Sequence, residues 1–237
     1  MALPRLSNDR PIYEMVVPST KETVKYRPFL VKEQKSLLVA FESQDQKQIL
    51  NSMLACIESC VPGIDVMKLA TFDVDYMFTQ VRSKSVGETS TVLSACTECR
   101  EENEVKINLA DINVKSDGLK TEVIEISDDI SLEMKYPTYE DTLGYVKSEL
   151  SDNAAETMFN SIATCINAVQ TKDENILLKH EPREEIETFI NSLTTQQLEK
   201  ITSFVDGMPT LIHEQKYTCK KCGHENTLQM KGLQDFF

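Results

Sequence analysis

Long hydrophobic runs are absent from the 237-residue sequence. The best candidate, SLLVAF at 36–41, is far shorter than the roughly 18 apolar residues that a membrane span needs. The first residues, MALPRLSNDRPIYE, also lack the basic start and apolar stretch of a secretory signal. We therefore expect a protein that makes no membrane contact and stays in the reducing cytoplasm in which it is made.

Basic residues are scarce. Lys and Arg number 25 against 38 Asp and Glu, which gives a formal net charge of −13. Nucleic-acid binding relies on Lys and Arg to neutralise phosphates, so this balance disfavours a nucleic-acid partner.

Motifs of common catalytic sites are also missing. The sequence contains no glycine-rich phosphate loop and no nucleophile elbow. His180 and His213 have no acid or nucleophile partner nearby in sequence, so we expect them on the surface or satisfied in the core. The acidic stretches TYED and REEIE suit the first turns of helices, where carboxylates are favourable. We expect no enzymatic activity and no small-molecule substrate.

What the sequence does contain is a change of period along the chain. IYEMVV and TVKYRPFLV, joined by PSTKE, indicate a β-hairpin. Apolar residues at three- and four-residue spacings then predict two helices broken near ESQDQ and stopped at the PG of 62–63, with a third over 72–81. From Thr91 to Met134, VKINL, TEVIEI and ISLEMK alternate as strands do, with a turn at the DG of 117–118.

The region from Tyr136 to Asp206 has a helical pattern. Thr138 can cap one helix, and Thr194 with Gln197 fits a capping box. Two apolar stripes are typical of amphipathic helices. They comprise Ile162, Cys165, Ile166 and Val169, and then Phe189, Ile190 and Leu193.

These patterns predict an α+β fold with a mainly helical body, an N-terminal β-hairpin and a split zinc-ribbon-like β module. We divide it into four segments: 1–90 with the hairpin and helices, 91–135 with strands, 136–208 as a helical region, and 209–237. We expect the last segment to pair in space with 91–135.

A cysteine motif is written twice, as CTECREEN at 96–103 and CKKCGHEN at 219–226. The repeat extends beyond it, because Val105 and Ile107 match Leu228 and Met230 as alternating apolar positions. Each copy therefore predicts a tight turn that leads into a strand.

Two such turns can supply four thiolates to one tetrahedral Zn²⁺ ion. The predicted ligands are Cys96, Cys99, Cys219 and Cys222. Gly223 suits the positive φ that such a turn commonly needs, whereas the first turn has Arg100 there. Four thiolates leave no open coordination position, so the ion would be structural and would close a long loop of the chain.

Other interpretations of the cysteines stay open. The four could be reduced thiols without a metal, a redox dithiol, or ligands of iron, and His224 could replace one of them. Cys56 and Cys60 lie four apart on a helix and could bind a metal, although such cysteines usually pack as small hydrophobes. Cys165 lies on an apolar stripe, and we expect it in the core.

Three stretches resemble the T4-type bacteriophage baseplate protein family, which includes a baseplate hub subunit with an assembly role. They are VKYRPFLVKEQKSLL, FDVDYMFTQVRSKSVGE and CKKCGHENTLQMKGLQDFF, in this order from about residue 12 to the end, with no matching motif from about 136 to 200. The resemblance implies a non-enzymatic structural or assembly protein of a contractile tail, working on the hub in the host cytoplasm or in the finished virion baseplate.

The leading hypothesis is thus a hub protein that binds other tail and hub proteins. Its candidate contact surfaces are the edge of the N-terminal hairpin and Phe236 with Phe237, which could instead pack on the protein's own zinc module. The alternatives are a zinc-ribbon nucleic-acid-binding regulator and a thiol oxidoreductase.

Overall fold

A computed structural model of the chain describes residues 11–114, 122–146 and 154–232. Its α-helices are α1 (Val31–Ser43), α2 (Gln46–Cys60), α3 (Thr71–Val86), α4 (Tyr139–Val146), α5 (Ala154–Cys165), α6 (Arg183–Asn191) and α7 (Thr195–Asp206). Its strands are β1 (Tyr13–Val16), β2 (Thr23–Tyr26), β3 (Thr89–Ala95), β4 (Glu102–Asn108), β5 (Asn113–Val114), β6 (Glu122–Glu125), β7 (Ile130–Met134), β8 (Ile166–Thr171), β9 (Asn175–Leu177), β10 (Leu211–Thr218) and β11 (Glu225–Lys231). The predicted α+β class is confirmed.

The chain divides into two compact units. Unit 1 holds residues up to 66, 72–115 and 210–237, and unit 2 holds 67–71 and 116–209. Most of unit 2 is therefore an insertion in the chain of unit 1. The strands that border this insertion are β5 and β10, and they pair antiparallel, with Leu211 opposite Val114.

The N-terminal part of unit 1 follows the predicted order of hairpin and helices. β1 and β2 pair antiparallel, and the turn between them is tied to α3 because the backbone N–H of Ser19 donates to the buried carboxylate of Asp73 at 2.8 Å. α1 begins where Glu33 accepts the N–H of Leu30 at 2.8 Å. Asp45 caps α2 by accepting two backbone N–H groups, which explains the break near ESQDQ.

Two small sheets build the rest of unit 1. β3 and β4 form an antiparallel hairpin, and β11, β10 and β5 form a three-stranded sheet in that order. Apolar side chains from both sheets and from the segment between β4 and β5 make one core cluster, which comprises Ile107, Leu109, Ile112, Leu211 and Met230. Ile107 and Met230 are the apolar positions that the repeated motif places four residues beyond each Asn, so the repeat continues into the core.

Unit 2 contains an antiparallel sheet in the order β6–β7–β8–β9, together with α4 to α7. Thr138 and Thr194 cap α4 and α7 as predicted. The turn expected at 117–118 lies outside the described residues.

One prediction for this region is wrong. Ile166 and Val169 were expected on a helix, but α5 ends at Cys165 and Ile166 opens β8. The sequence INAVQT fits either period over so short a stretch, and pairing with both β7 and β9 decides for the strand. Ile166 and Ala168 accordingly point into the core and are buried.

Candidate metal centre

The first cysteine turn joins β3 to β4. The backbone N–H of Cys96 donates to the carbonyl of Glu101 at 2.9 Å, and the N–H of Arg100 donates back to the carbonyl of Cys96 at 2.9 Å. These two bonds close the turn, which places Cys99 on the same side as Cys96.

The second cysteine turn joins β10 to β11 and repeats the same bonds. The N–H of Cys219 donates to the carbonyl of His224 at 2.9 Å, and the N–H of Gly223 donates to the carbonyl of Cys219 at 3.0 Å. Gly223 has the predicted positive φ of 73°, and Arg100 adopts the same left-handed conformation at 57°. The two turns therefore share one backbone geometry despite the different residues.

The turns bring four sulfur atoms together. The Sγ atoms of Cys96 and Cys222 lie 3.7 Å apart, those of Cys99 and Cys219 lie 3.6 Å apart, and all four lie within 4.8 Å of one another. A tetrahedral ion with Zn–S bonds of about 2.3 Å requires S–S separations of about 3.8 Å. A disulfide requires about 2.0 Å, so the spacing fits four ligands of one ion better than two disulfides.

Asn226 links the second turn to the first. Its Oδ1 accepts the backbone N–H of Thr97 at 3.0 Å and the Thr97 hydroxyl at 2.9 Å. Its Nδ2 lies 3.5 Å from the Sγ of Cys96, to which it donates. The amide thus holds the opposite turn and one of its sulfurs at the same time.

Asn103 makes the reciprocal contacts. Its Oδ1 accepts the N–H of Lys220 at 2.9 Å, and its Nδ2 donates toward the Sγ of Cys219 at 3.7 Å. Both asparagines are buried. The sequence contained a signal for this role, because each Asn stands seven residues after the first cysteine of its motif, but the repeat alone did not reveal that the bonds cross between turns.

Backbone N–H groups aimed at sulfur favour the thiolate form in each turn. The N–H of Cys222, with that of Lys221, lowers the pKa of Cys219 to about 6. The N–H of Cys99 is likewise the main cause that lowers the pKa of Cys96.

Cys222 shows the opposite shift. The N–H of His224 favours its thiolate, but hydrogen bonds with the other three cysteines and loss of solvent outweigh it and raise the pKa of Cys222 to about 12. Crowded sulfurs resist carrying four negative charges, and a divalent cation among them removes that repulsion. The donor set therefore fits a thiophilic divalent metal ion.

Polar contacts at the rim join the two hairpins further. Glu101 pairs with Lys221 at 3.0 Å and with Lys220 at 4.0 Å, and Lys221 is the main cause that lowers the pKa of Glu101. The hydroxyl of Tyr217 on β10 bonds that of Ser94 on β3 at 3.0 Å. The lysines of CKKC are therefore engaged by a carboxylate of the first turn.

The remaining cysteines lie outside this cluster. Cys56 and Cys60 are buried on α2, where the Arg27 guanidinium lies 3.6 Å from the Sγ of Cys60, and a hydrogen bond from Cys56 is the main cause that lowers the pKa of Cys60. Neither belongs to a metal-ligand group among the described residues. Cys165 is buried, as predicted, and burial raises its pKa to about 11.

The histidines contribute no ligand atom to the cluster. His224 and His180 are exposed. His213 is half-buried, and its Nε2 has no hydrogen-bond partner within the part of the chain that the structure describes. Phe236 and Phe237 lie outside the described residues.

No described helix has the length and apolar character to cross a membrane. The family model described as T4 bacteriophage base plate protein matches residues 10–237, which is nearly the whole chain and includes both cysteine turns. Neither the curated proteins nor the solved structures yield a significant match. The extent of the family match shows that the chain belongs to the T4 bacteriophage base plate protein family.

Proposed function

We propose that this baseplate protein is a structural or assembly protein of the tail hub that acts by binding other tail and hub proteins, and that it is not an enzyme. Membership of the baseplate family supports the tail role, and the hub role is supported by the resemblance to a family that includes a hub subunit. Assembly would take place in the host cytoplasm.

The same proposal includes one structural Zn²⁺ ion bound by Cys96, Cys99, Cys219 and Cys222. The observation that carries it is the approach of four Sγ atoms to within 4.8 Å from two turns about 120 residues apart in sequence. Four thiolates complete a tetrahedral sphere, so the ion would hold β3–β4 against β10–β11 as a split zinc ribbon and leave no position for a substrate.

Metal analysis of the purified protein tests the zinc site. We expect one zinc per chain in the wild type and in Cys165→Ala, whose thiol lies outside the cluster. We expect Cys222→Ser to bind zinc weakly and to melt at a lower temperature. Stoichiometric zinc in Cys222→Ser together with an unchanged melting temperature would contradict the proposal.

The partner surfaces are proposed in two places. β1 and β2 each have a single hydrogen-bonded neighbour among the described strands, so the hairpin keeps edges to which a partner strand can add. Phe236 and Phe237 are the second candidate.

A pull-down from infected cells tests the hub role directly. Affinity-tagged wild type should recover hub and tail proteins, and a variant that lacks residues 235–237 should recover fewer of them. Recovery of no tail protein by the wild type would overturn the hub role, and equal recovery by both would remove the phenylalanines from the interface.

The nucleic-acid alternative has less support from the site. Glu101 pairs with Lys221 at 3.0 Å and reaches Lys220 at 4.0 Å, and the formal net charge of −13 opposes the binding of phosphates. A gel shift at low salt with single- and double-stranded DNA and RNA should show no complex.

A further inference from the structure

α1 presents an apolar face to solvent. Its inward side buries Leu37 and Ala40. Of the eleven large apolar side chains that are strongly exposed in the described residues, four lie on this one helix of 13 residues. They are Val31 (79% exposed), Leu38 (55%), Val39 (57%) and Phe41 (42%). An exposed apolar patch of this density is typical of an interaction surface.

Two opposite charges lie along the same side of the helix. Lys35 and Glu42 are seven residues apart, as are Val31 and Leu38, so all four follow one line along the helix. Lys35 and Glu42 are exposed, and the described residues give neither an ion-pair partner. Glu42 lies next to the C-terminal residue of α1, where the helix dipole disfavours negative charge. A cation supplied from outside the helix would remove that disadvantage.

A second copy of the same helix would supply this cation. Lys35 and Glu42 are equally far from a point between Leu38 and Val39. If two α1 helices pack antiparallel and cross at that point, each Lys35 faces a Glu42 of the other copy. The same register sets Leu38 against Val39 at the centre. A two-fold axis forms each of these contacts twice, so the face is complementary to itself.

We propose that this face of α1, defined by Val31, Lys35, Leu38, Val39 and Glu42, is the interface of a homodimer. A 13-residue helix is about 20 Å long. The surface area that one such helix pair buries is therefore no larger than about 1,200 Å², the lower limit for standard stable interfaces. The dimer is therefore weak and its population depends on concentration. The proposal stands independently of the hub role and of the zinc site.

Sedimentation velocity of the full chain across micromolar concentrations tests the dimer. The wild-type mass should rise from one chain toward two. Leu38→Ser should keep the protein monomeric, whereas Leu93→Ser, which changes a slightly more exposed leucine on β3, should dimerise as the wild type does. The positions are exposed, so melting curves should confirm that all variants fold.

Charge reversal tests the register. Lys35→Glu alone and Glu42→Lys alone should each weaken dimerisation at least tenfold at low salt, because each places like charges opposite one another. The double variant Lys35→Glu/Glu42→Lys should restore it, since both pairs re-form with reversed sign. A wild type that stays monomeric at every concentration overturns the proposal, as does a dimer that ignores Leu38→Ser or a double variant that remains as weak as the single ones. A monomer that uses this face only to bind another baseplate protein overturns it as well.

Discussion

The two cysteine turns have the same backbone but differ at the residue that bends it. Gly223 adopts its positive φ without steric cost, whereas Arg100 adopts the same conformation although its Cβ makes it sterically unfavourable. Glycine is therefore not required at this position of the turn. The paired backbone bonds within each turn and the reciprocal asparagine bonds, which are common to both turns, hold the geometry.

The largest effect should come from removing a ligand, and it should be alike in both turns. Cys99→Ser and Cys222→Ser each leave three sulfurs, so we expect each to release most of the zinc and lower the melting temperature by a similar amount. Metal analysis and calorimetry measure this. Zinc lost from only one of the two variants would show that the turns do not share an ion.

Removing the asparagines should come next and should distinguish the turns. Asn226→Ala leaves two donors of Thr97 without their acceptor, and Asn103→Ala leaves one N–H of Lys220. Thr97 and Lys220 are exposed, so water can replace the lost acceptor, and at about 1 kcal/mol per lost hydrogen bond both variants should destabilise the protein, Asn226→Ala more. Denaturant unfolding of the zinc-loaded protein gives the values. A larger cost for Asn103→Ala would refute this ranking.

Substitutions at the residue with positive φ should change the free energy of unfolding in opposite directions in the two turns. A Cβ on Gly223 meets no atom within 4 Å, so Gly223→Ala suffers only the left-handed backbone and should cost about 1 kcal/mol. Arg100→Gly relieves the same strain but adds freedom to the unfolded chain, and we expect a net gain of about 0.5 kcal/mol. The two unfolding free energies measure the difference. Destabilisation by Arg100→Gly would mean that the Arg side chain stabilises the turn.

The smallest effect should come from the rim. The pKa of Glu101 is lowered in the folded state, so its pairing with Lys221 stabilises the fold above the ordinary carboxyl pKa and is lost as the pH falls through the lowered value. Glu101→Gln should therefore melt slightly below the wild type at neutral pH and low salt, and the gap should close in acid or at high salt. A difference in melting temperature that persists at high salt would mean that Glu101 stabilises the fold through packing and not through its charge.

Prediction from sequence succeeded where one local pattern had one structural solution. The change of period predicted a break near ESQDQ, where Asp45 caps α2, and the matched cysteines, with matched apolar residues behind them, predicted two equivalent turns. Their sulfurs do converge, while zinc binding itself stays a prediction.

Prediction failed where distant pairing decided the outcome. INAVQT carries no local mark of a strand, and its state depends on β7 and β9, which the sequence does not show to be its neighbours. The crossed asparagine bonds were missed for the same reason, because the donors to Asn226 and Asn103 lie more than a hundred residues away in sequence.

The pairing of β5 with β10 has a consequence for how this protein can change. Val114 and Leu211 are neighbouring partners in one sheet of unit 1, so the chain between them connects two paired strands as the loop of a β-hairpin does. Residues 67–71 also belong to unit 2, but β5 and β10 both belong to unit 1, so we expect changes within that loop to leave the strands at its base in place. The sheet that contains β5 and β10 is therefore compatible with different inserted segments. We expect a chain with a short turn in place of 116–209 to retain its four-cysteine cluster.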